Sequence, residues 1–372
     1  MSDTSNISRR RFMQGMGALG LAAAFPGVWM GKPARAGELR VGFIYVGSRD
    51  DFGYNQSHAE GARAIREMPG VTVLEEENVP ETIAVQRTME SMINLDDVNL
   101  VFPTSFGYYD PHVLRIAARN PDILFRHCGG LYEEGAHPEN AGSFFGYIDE
   151  CQYLNGIVAG HATRSKRLGF IAARAIPQVL RNINAFTMGA RSVDPDIRVQ
   201  VIYTGDWHLP VREAEATNGL ADQGVDVITC HVDSPMVIAE TCEARGIYVC
   251  GYHANQSRLA PNGYLTGAEW KWETPYRRIV EDVLAGETPS HFLRGGLADG
   301  FVQPSPYGQA VSDGARRQAD EVKEKMMGGD FVIFEGPLKD NKGNTVIAQG
   351  ESHEQRDTWL ERMDWLVEGV RE

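Results

Sequence analysis

The residues best equipped for recognition chemistry sit in short loops that follow runs of Val, Ile, Leu and Phe. The stretch Gly47-Ser48-Arg49-Asp50-Asp51-Phe52-Gly53-Tyr54-Asn55-Gln56 brings two carboxylates, two aromatic rings and two amides to the start of a helical segment. Thr104-Ser105-Phe106-Gly107-Tyr108-Tyr109 adds hydroxyls and rings. The second half of the chain repeats the pattern in Gly205-Asp206-Trp207-His208, His231-Val232-Asp233-Ser234 and Gly251-Tyr252-His253-Ala254-Asn255, and a later run ends in Glu269-Trp270-Lys271-Trp272. Two such rings facing each other can hold a flat solute, each contributing on the order of 1–3 kcal/mol if the stacking resembles that on nucleobases. Asp, Asn, His and Ser around them can read ring donors and acceptors. Any one of these aromatics could equally pack a core. Asp50 or Asp51 could equally cap the helix that follows. The signal is their joint occurrence in equivalent loops, which marks Asp51, Phe52, Tyr54, Asn55, Phe106, Trp207, Asp233, His253 and Trp270 as candidate ligand contacts.

Catalytic patterns do not accompany these loops. The sequence has no GxSxG, no phosphate-binding GxxxxGK[ST], no HExxH, and no GxGxxG after a strand. His231 with Asp233 supplies two potential metal ligands without a third. The chemistry on offer is binding, with no catalytic set, no metal and no cofactor expected.

The elements that must position these loops alternate regularly. Strands are expected at Leu39–Val46, Thr72–Val79, Leu100–Ser105, Ile123–Cys128 and Gly142–Ile148, separated by helices near Asn55–Glu67, Glu81–Leu95 and Asp110–Arg119. The pattern then restarts with helix Cys151–Arg164 and strands Leu168–Ala173, Arg198–Thr204, Val225–Val232 and Ile247–Tyr252. Between these lie helices near Pro177–Ser192, Val211–Gln223 and Pro235–Arg245, with prolines where a helix begins. Strands apolar on both faces suit parallel sheets covered on both sides. Two doubly wound α/β units follow, and ligands of such units bind at the carboxyl ends of the strands. After Leu265 come a short strand, Leu265–Trp270, helix Pro275–Ala285, a Gly-rich stretch to Gly308, helix Asp313–Met327 and a hairpin around Asp340–Gly343. This rapid alternation suggests recrossing between the two units. Trp359, Leu360, Met363, Trp365 and Leu366 fall at helical spacing, so 351–372 reads as an amphipathic helix docked on the body.

The chain has 372 residues, more than one core usually holds. Its first 36 residues place Arg9-Arg10-Arg11 before an apolar stretch and then Ala34-Arg35-Ala36, the form of a twin-arginine export signal cleaved after Ala36. Removing their five bases and one acid takes the formal charge from −14 to −18. So acidic a body does not suit nucleic acid, which needs clustered Lys and Arg. The expected location is the periplasm. Five cysteines would then sit in an oxidising compartment. An odd count leaves at least one thiol free, and Cys230 with Cys250, at the ends of successive strands, could form one bridge.

Taken together, these segments resemble the basic membrane protein family of ABC-importer solute receptors, which includes purine-nucleoside receptors. The resemblance spans about Leu39 to Gly308. It rests on Val41-Gly42-Phe43-Ile44-Tyr45-Val46, Asp51-Phe52-Gly53-Tyr54, Ile183-Asn184-Ala185-Phe186 with Gly189-Ala190, Gln223-Gly224-Val225-Asp226-Val227-Ile228, His231-Val232-Asp233-Ser234-Pro235 and Gly251-Tyr252. It implies an α/β type I periplasmic-binding-protein fold, two doubly wound parallel-sheet lobes joined by a multi-strand hinge. One lobe would cover 37–147, completed by about 271–303, and the other 148–270, completed by about 304–350. It also implies a base sandwiched by Phe52 or Tyr54 against Trp207, with Asn55 or Asp51 as polar contacts. Where the family usually has an Asp that binds ribose or an amine, this chain reads His253-Ala254-Asn255, which makes a free nucleobase as plausible as a nucleoside. The expected partners are a small purine-like solute and an ABC permease, with the receptor itself a monomer. The alternatives are a periplasmic enzyme acting on nucleoside-like substrates and a receptor for an unrelated small polar solute.

Overall fold

Phe43 and Ile44 are consecutive in the first strand, point to opposite faces of the sheet, and are both fully buried. That sheet must therefore be covered on both sides. The computed structural model describes residues 38–372, so the export segment read at 1–36 lies outside the described residues. The first sheet contains β1 (Leu39–Ile44), β2 (Val71–Glu76), β3 (Leu100–Pro103), β4 (Leu124–Cys128) and β5 (Ala141–Gly146). The second contains β6 (Arg167–Ala172), β7 (Arg198–Tyr203), β8 (Val227–His231), β9 (Tyr248–His253) and β10 (Tyr264–Trp270). Late strands complete each: β11 (Phe292–Gly295) joins the first, β12 (Val302–Pro304) the second. The strand orders are β11-β5-β4-β3-β1-β2 and β12-β10-β9-β8-β6-β7, and every pairing is parallel except β12 against β10. The fold is thus two doubly wound α/β lobes.

Helices α1 (Tyr54–Arg66), α2 (Ile83–Leu95) and α3 (Leu114–Arg119) belong to the first lobe, and α4 (Asp149–Ala162), α5 (Pro177–Val193), α6 (Pro210–Asp222) and α7 (Met236–Arg245) to the second. Then α8 (Glu273–Leu284) returns to pack on α1, and α9 (Asp313–Gly328) packs on α4. Local signals place their ends: Pro177 and Pro210 occupy the first turns of α5 and α6, and Thr82 and Ser312 accept from backbone N–H groups of α2 and α9. The chain passes between lobes three times, from β5 to α4, from β10 to α8 and from β11 to β12.

Three expectations change. The helix expected over Asp110–Arg119 is α-helical only from Leu114; a π-helical turn over Tyr109–Val113 precedes it, kinked at Asp110, which stands before Pro111 and takes the extended conformation (φ −114°, ψ 123°) that the proline ring favours. Residues 351–372 are not an amphipathic helix. Beyond the small strands β13 (Phe334–Glu335) with β16 (Ser352–His353) and β14 (Leu338–Lys339) with β15 (Thr345–Ile347), the tail makes one 3-10 turn at Leu360–Arg362 and ends in β17 (Val370–Arg371), parallel to β7. Its backbone partners come from elsewhere: Asn184 donates to the Trp365 carbonyl and accepts from the Val367 N–H. Finally, all five cysteines are buried and free. Ile228 pairs with Val249, so in parallel register Cys250 stands opposite Thr229 rather than Cys230, and neighbouring positions along a strand face opposite sides. The two thiols therefore point away from each other.

Candidate functional site

Each sheet reverses its strand order once, between β1 and β3 and between β6 and β8. Such a reversal leaves a crevice outside the carboxyl ends of the strands. The two crevices face each other across a narrow cavity of about 30 Å³. Tyr54, Ser105, Phe106, Cys128 and Phe145 line it from the first lobe, and Gln178, Trp207, His231, Asp233, His253 and Trp270 from the second. Six of the candidates chosen by residue type therefore meet: Tyr54, Phe106, Trp207, Asp233, His253 and Trp270.

The other three candidates do not line the cavity, and hydrogen bonding explains why. Asp51 accepts from the backbone N–H groups of Gly53, Asn55 and Gln56 and from the Asn55 side chain, so its carboxylate caps α1. The Asn55 amide spends its Nδ2 on Asp51, and its oxygen accepts from Gly47. Phe52, held at φ 54°, turns its ring toward the Arg258 guanidinium, 5.5 Å from the ring centre. Tyr54 is thus the first-lobe ring of the loop that faces the cavity, with its hydroxyl donating to the Thr104 carbonyl at 2.6 Å.

Opposite Tyr54, the polar groups are held in defined states. The Trp270 indole N–H donates to His253 Nδ1 at 2.7 Å, which leaves the proton of the neutral imidazole on Nε2. Burial, with His231 and His58 nearby, holds the His253 pKa well below the ordinary histidine range, so the ring is neutral at physiological pH. Among the described residues its Nε2 is buried with no well-formed hydrogen bond, the Val232 backbone being its polar neighbour, and the buried Trp207 indole Nε1 has no partner. Burial pushes His231 down to about 3, and its Nδ1 lies 2.8 Å from the Asn182 amide. Asp233 is 9% exposed. Its N–H donates to the Trp207 carbonyl and its carbonyl accepts from Tyr54, while no hydrogen bond reaches its carboxylate among the described residues. Burial, then the charges of Asp51 and Glu81, raise its pKa well above the usual carboxylate value. The cavity accordingly offers aromatic walls, two N–H donors without partners and one carboxylate without a donor. A flat solute carrying both N–H groups and ring nitrogens would satisfy all three.

The two lobes also touch directly beside the cavity. Tyr54 N–H donates to the Asp233 carbonyl at 2.8 Å, the Ser234 hydroxyl to the Asp51 carbonyl at 2.7 Å, and the buried Gln256 amide to the Phe52 carbonyl at 2.6 Å. The Tyr54 and His253 rings meet across the same boundary, with centroids 5.2 Å apart. The nine candidates omit Ser105, Cys128, Phe145, Gln178 and His231, which line the cavity, and Ser234 and Gln256, which join the lobes. Gln178 opens α5 directly after β6, so the strand-end rule alone would have found it. Its loop carries no aromatic residue to attract notice.

Residues 38–334 match the family described as ABC transporter substrate-binding protein, PnrA-like (Bmp). The chain belongs to the Bmp family. A purine-binding protein of Brucella abortus is 33% identical over 351 residues, which is 94% of this chain and 97% of that protein. A putative ABC transporter glucose-binding protein of Haloferax volcanii is 28% identical, with 86% and 80% of the two chains covered. Among solved structures, a solute-binding protein of an ABC transporter system from Aeropyrum pernix superposes with a TM-score of 0.68 at 20% identity, over 81% of this chain and 93% of that one. This likeness concerns the fold alone. As a Bmp-family substrate-binding protein, the chain has a small-molecule solute and an ABC permease as its partners. Among the described residues, no helix of this Bmp protein is long and apolar enough to cross a membrane, and no cluster of three His, Cys, Asp or Glu side chains could hold a metal ion.

Proposed function

We propose that this protein is an exported periplasmic receptor that captures a purine-like solute between its lobes and hands it to the permease. The observation that carries the reading is the meeting of aromatic walls and polar groups in one interlobe cavity: Tyr54, Trp207 and Trp270 line it with His253 and Asp233, and Trp207 Nε1 and His253 Nε2 are buried without partners among the described residues. A purine has flat faces for the former and N–H groups and ring nitrogens for the latter. The purine-binding relative from Brucella abortus supports the same class. Capture works by hinge closure. A solute that touches both lobes binds the closed form better than the open form and shifts the population toward it. The first 36 residues supply export by the twin-arginine route, with cleavage after Ala36.

Calorimetry of the purified mature protein against adenine, guanine, hypoxanthine and their nucleosides tests this, with glucose as the comparison suggested by the Haloferax volcanii relative. Micromolar or tighter binding of a purine is expected. Failure of every purine to bind below millimolar, or preference for glucose, would overturn the assignment. Incubation with inosine and adenosine should release no free base; turnover would replace the receptor with a hydrolase.

A further inference from the structure

The tail that was expected to be a docked helix instead connects the two lobes. Its far end belongs to the second lobe: β17 extends that sheet beside β7, Asn184 on α5 grips the Trp365 and Val367 backbone, and Leu360 and Met363 are buried. Its middle reaches the first lobe. Glu361 accepts two parallel hydrogen bonds from Arg294 on β11, Nε to Oε1 at 3.0 Å and Nη2 to Oε2 at 3.1 Å. Arg294 also donates to the Ser143 hydroxyl and to the Leu293 and Gly130 carbonyls, all in the first lobe. Both side chains are buried, 3% and 8% exposed. A two-pronged pair of this kind is strong and directional, and its geometry tolerates little relative movement of the groups it joins.

Neighbouring contacts run along the same line. Gln355 donates to Asp149 at the start of α4, and its carbonyl accepts from Arg181, whose own Nε donates to Asp149. Arg356 pairs with Asp299 in the passage from β11 to β12. The tail thus lies over two of the three covalent crossings between lobes, those leading into α4 and out of β11, on a side of the cavity bounded by Phe145 and Gln178.

We propose that residues 355–363 form an interlobe strap, in which Glu361 carried by the second lobe holds Arg294 of the first and limits how far the lobes swing apart. Glu361 is a positioning residue: it acts on the cavity through the hinge, not by touching solute. The inference rests on the hinged-receptor reading but not on the purine assignment.

The test is the interlobe distance in the mature, solute-free protein. Spin labels are placed at the exposed positions Arg87→Cys on α2 and Glu240→Cys on α7, the native thiols being buried. Pulsed electron paramagnetic resonance then gives the distance distribution. Glu361→Gln should shift it to longer and broader distances than in the otherwise unaltered strap. Glu361→Gln with Arg294→Met removes both charges, so no unpaired ion is left to unfold the chain, and should give the same shift. Glu361→Asp, which keeps the charge, should restore part of the original distribution. Unchanged distributions in both of the first two variants, with circular dichroism of the folded protein, would overturn the strap. Because no solute is added, failure of the purine assignment would leave this result untouched.

Discussion

A methyl group on Gly53 would lie 1.9 Å from the Asp233 carbonyl oxygen and 2.7 Å from Cδ of Pro235. Gly53 belongs to the loop after β1 and Asp233 to the loop after β8, so absence of a side chain at residue 53 is what lets the lobes meet. Gly53→Ala should therefore leave each lobe folded while keeping the Tyr54 N–H away from Asp233. Loss of one to two such interlobe hydrogen bonds corresponds to roughly a ten-fold weakening of solute binding. Calorimetry together with thermal melting checks it; wild-type affinity would show that the clasp does not contribute to capture.

Trp207 is partly buried, follows β7 in an irregular loop, and carries an indole N–H without a partner. Replacing it by Ala should cost about 1–3 kcal/mol of stacking, roughly ten- to hundred-fold in affinity. The melting temperature should change little, since the loop lies outside the sheets. Full retention of binding would show that the ligand does not rest on this ring.

Asp233→Asn separates function from stability. No donor reaches the carboxylate among the described residues, and its raised pKa marks the cost of charging it there. The amide has nearly the same shape and no charge to desolvate. The solute-free variant should melt higher than wild type, while affinity for a solute that donates to Asp233 should fall about ten-fold or more. A lower melting point with unchanged affinity would assign Asp233 a purely structural role.

Stability should fall as pH rises from about 4 toward neutrality. Burial, with Asp149 and Asp299 adding, pushes Glu150 up to about 7 against the opposing Leu297 N–H and Arg181, and burial also pushes Glu213 to about 7. Their unfolded values lie near 4.3. Below that both states hold the proton. Between there and about 7 the native state binds more protons than the unfolded state, so stability declines with pH and levels off above 7. Each group contributes on the order of 4 kcal/mol to that decline at most. Denaturant melts from pH 5 to 8 should show the slope, and Glu150→Gln should remove a large part of it. An unchanged slope in that variant would contradict the assignment.

The five thiols should be silent in the native state. Burial raises all of their pKa values, Cys128 to about 12, which removes the reactive thiolate as well as access to it. A thiol reagent should titrate none in the folded protein and five after denaturation. Three after denaturation without reductant would reveal a disulfide.

Much of the architecture was legible because its causes are local. Runs apolar on both faces became parallel strands within three residues of their expected ends, and prolines at 177 and 210 began helices. The strand-end rule picked out loops that meet at the interlobe cavity. Within a loop that rule does not choose. Asp51, Phe52, Tyr54 and Asn55 are alike in promise by residue type, yet Asp51 and Asn55 are used up by the α1 N-terminus and Phe52 turns toward Arg258.

The sequence by itself determined the two α/β lobes, their loops of rings and carboxylates, and the family, because hydrophobic period and motif are properties of neighbouring residues. Tertiary structure alone decided three things: which ring faces the cavity, why Cys230 and Cys250 do not pair, and where the tail packs. Glu361 and Arg294 are 67 positions apart. Their ion pair and the Asn184 clamp on the tail backbone outweigh a helical spacing of apolar residues. Such contacts depend on where distant segments come to rest, so the periodicity of the tail could not reveal them.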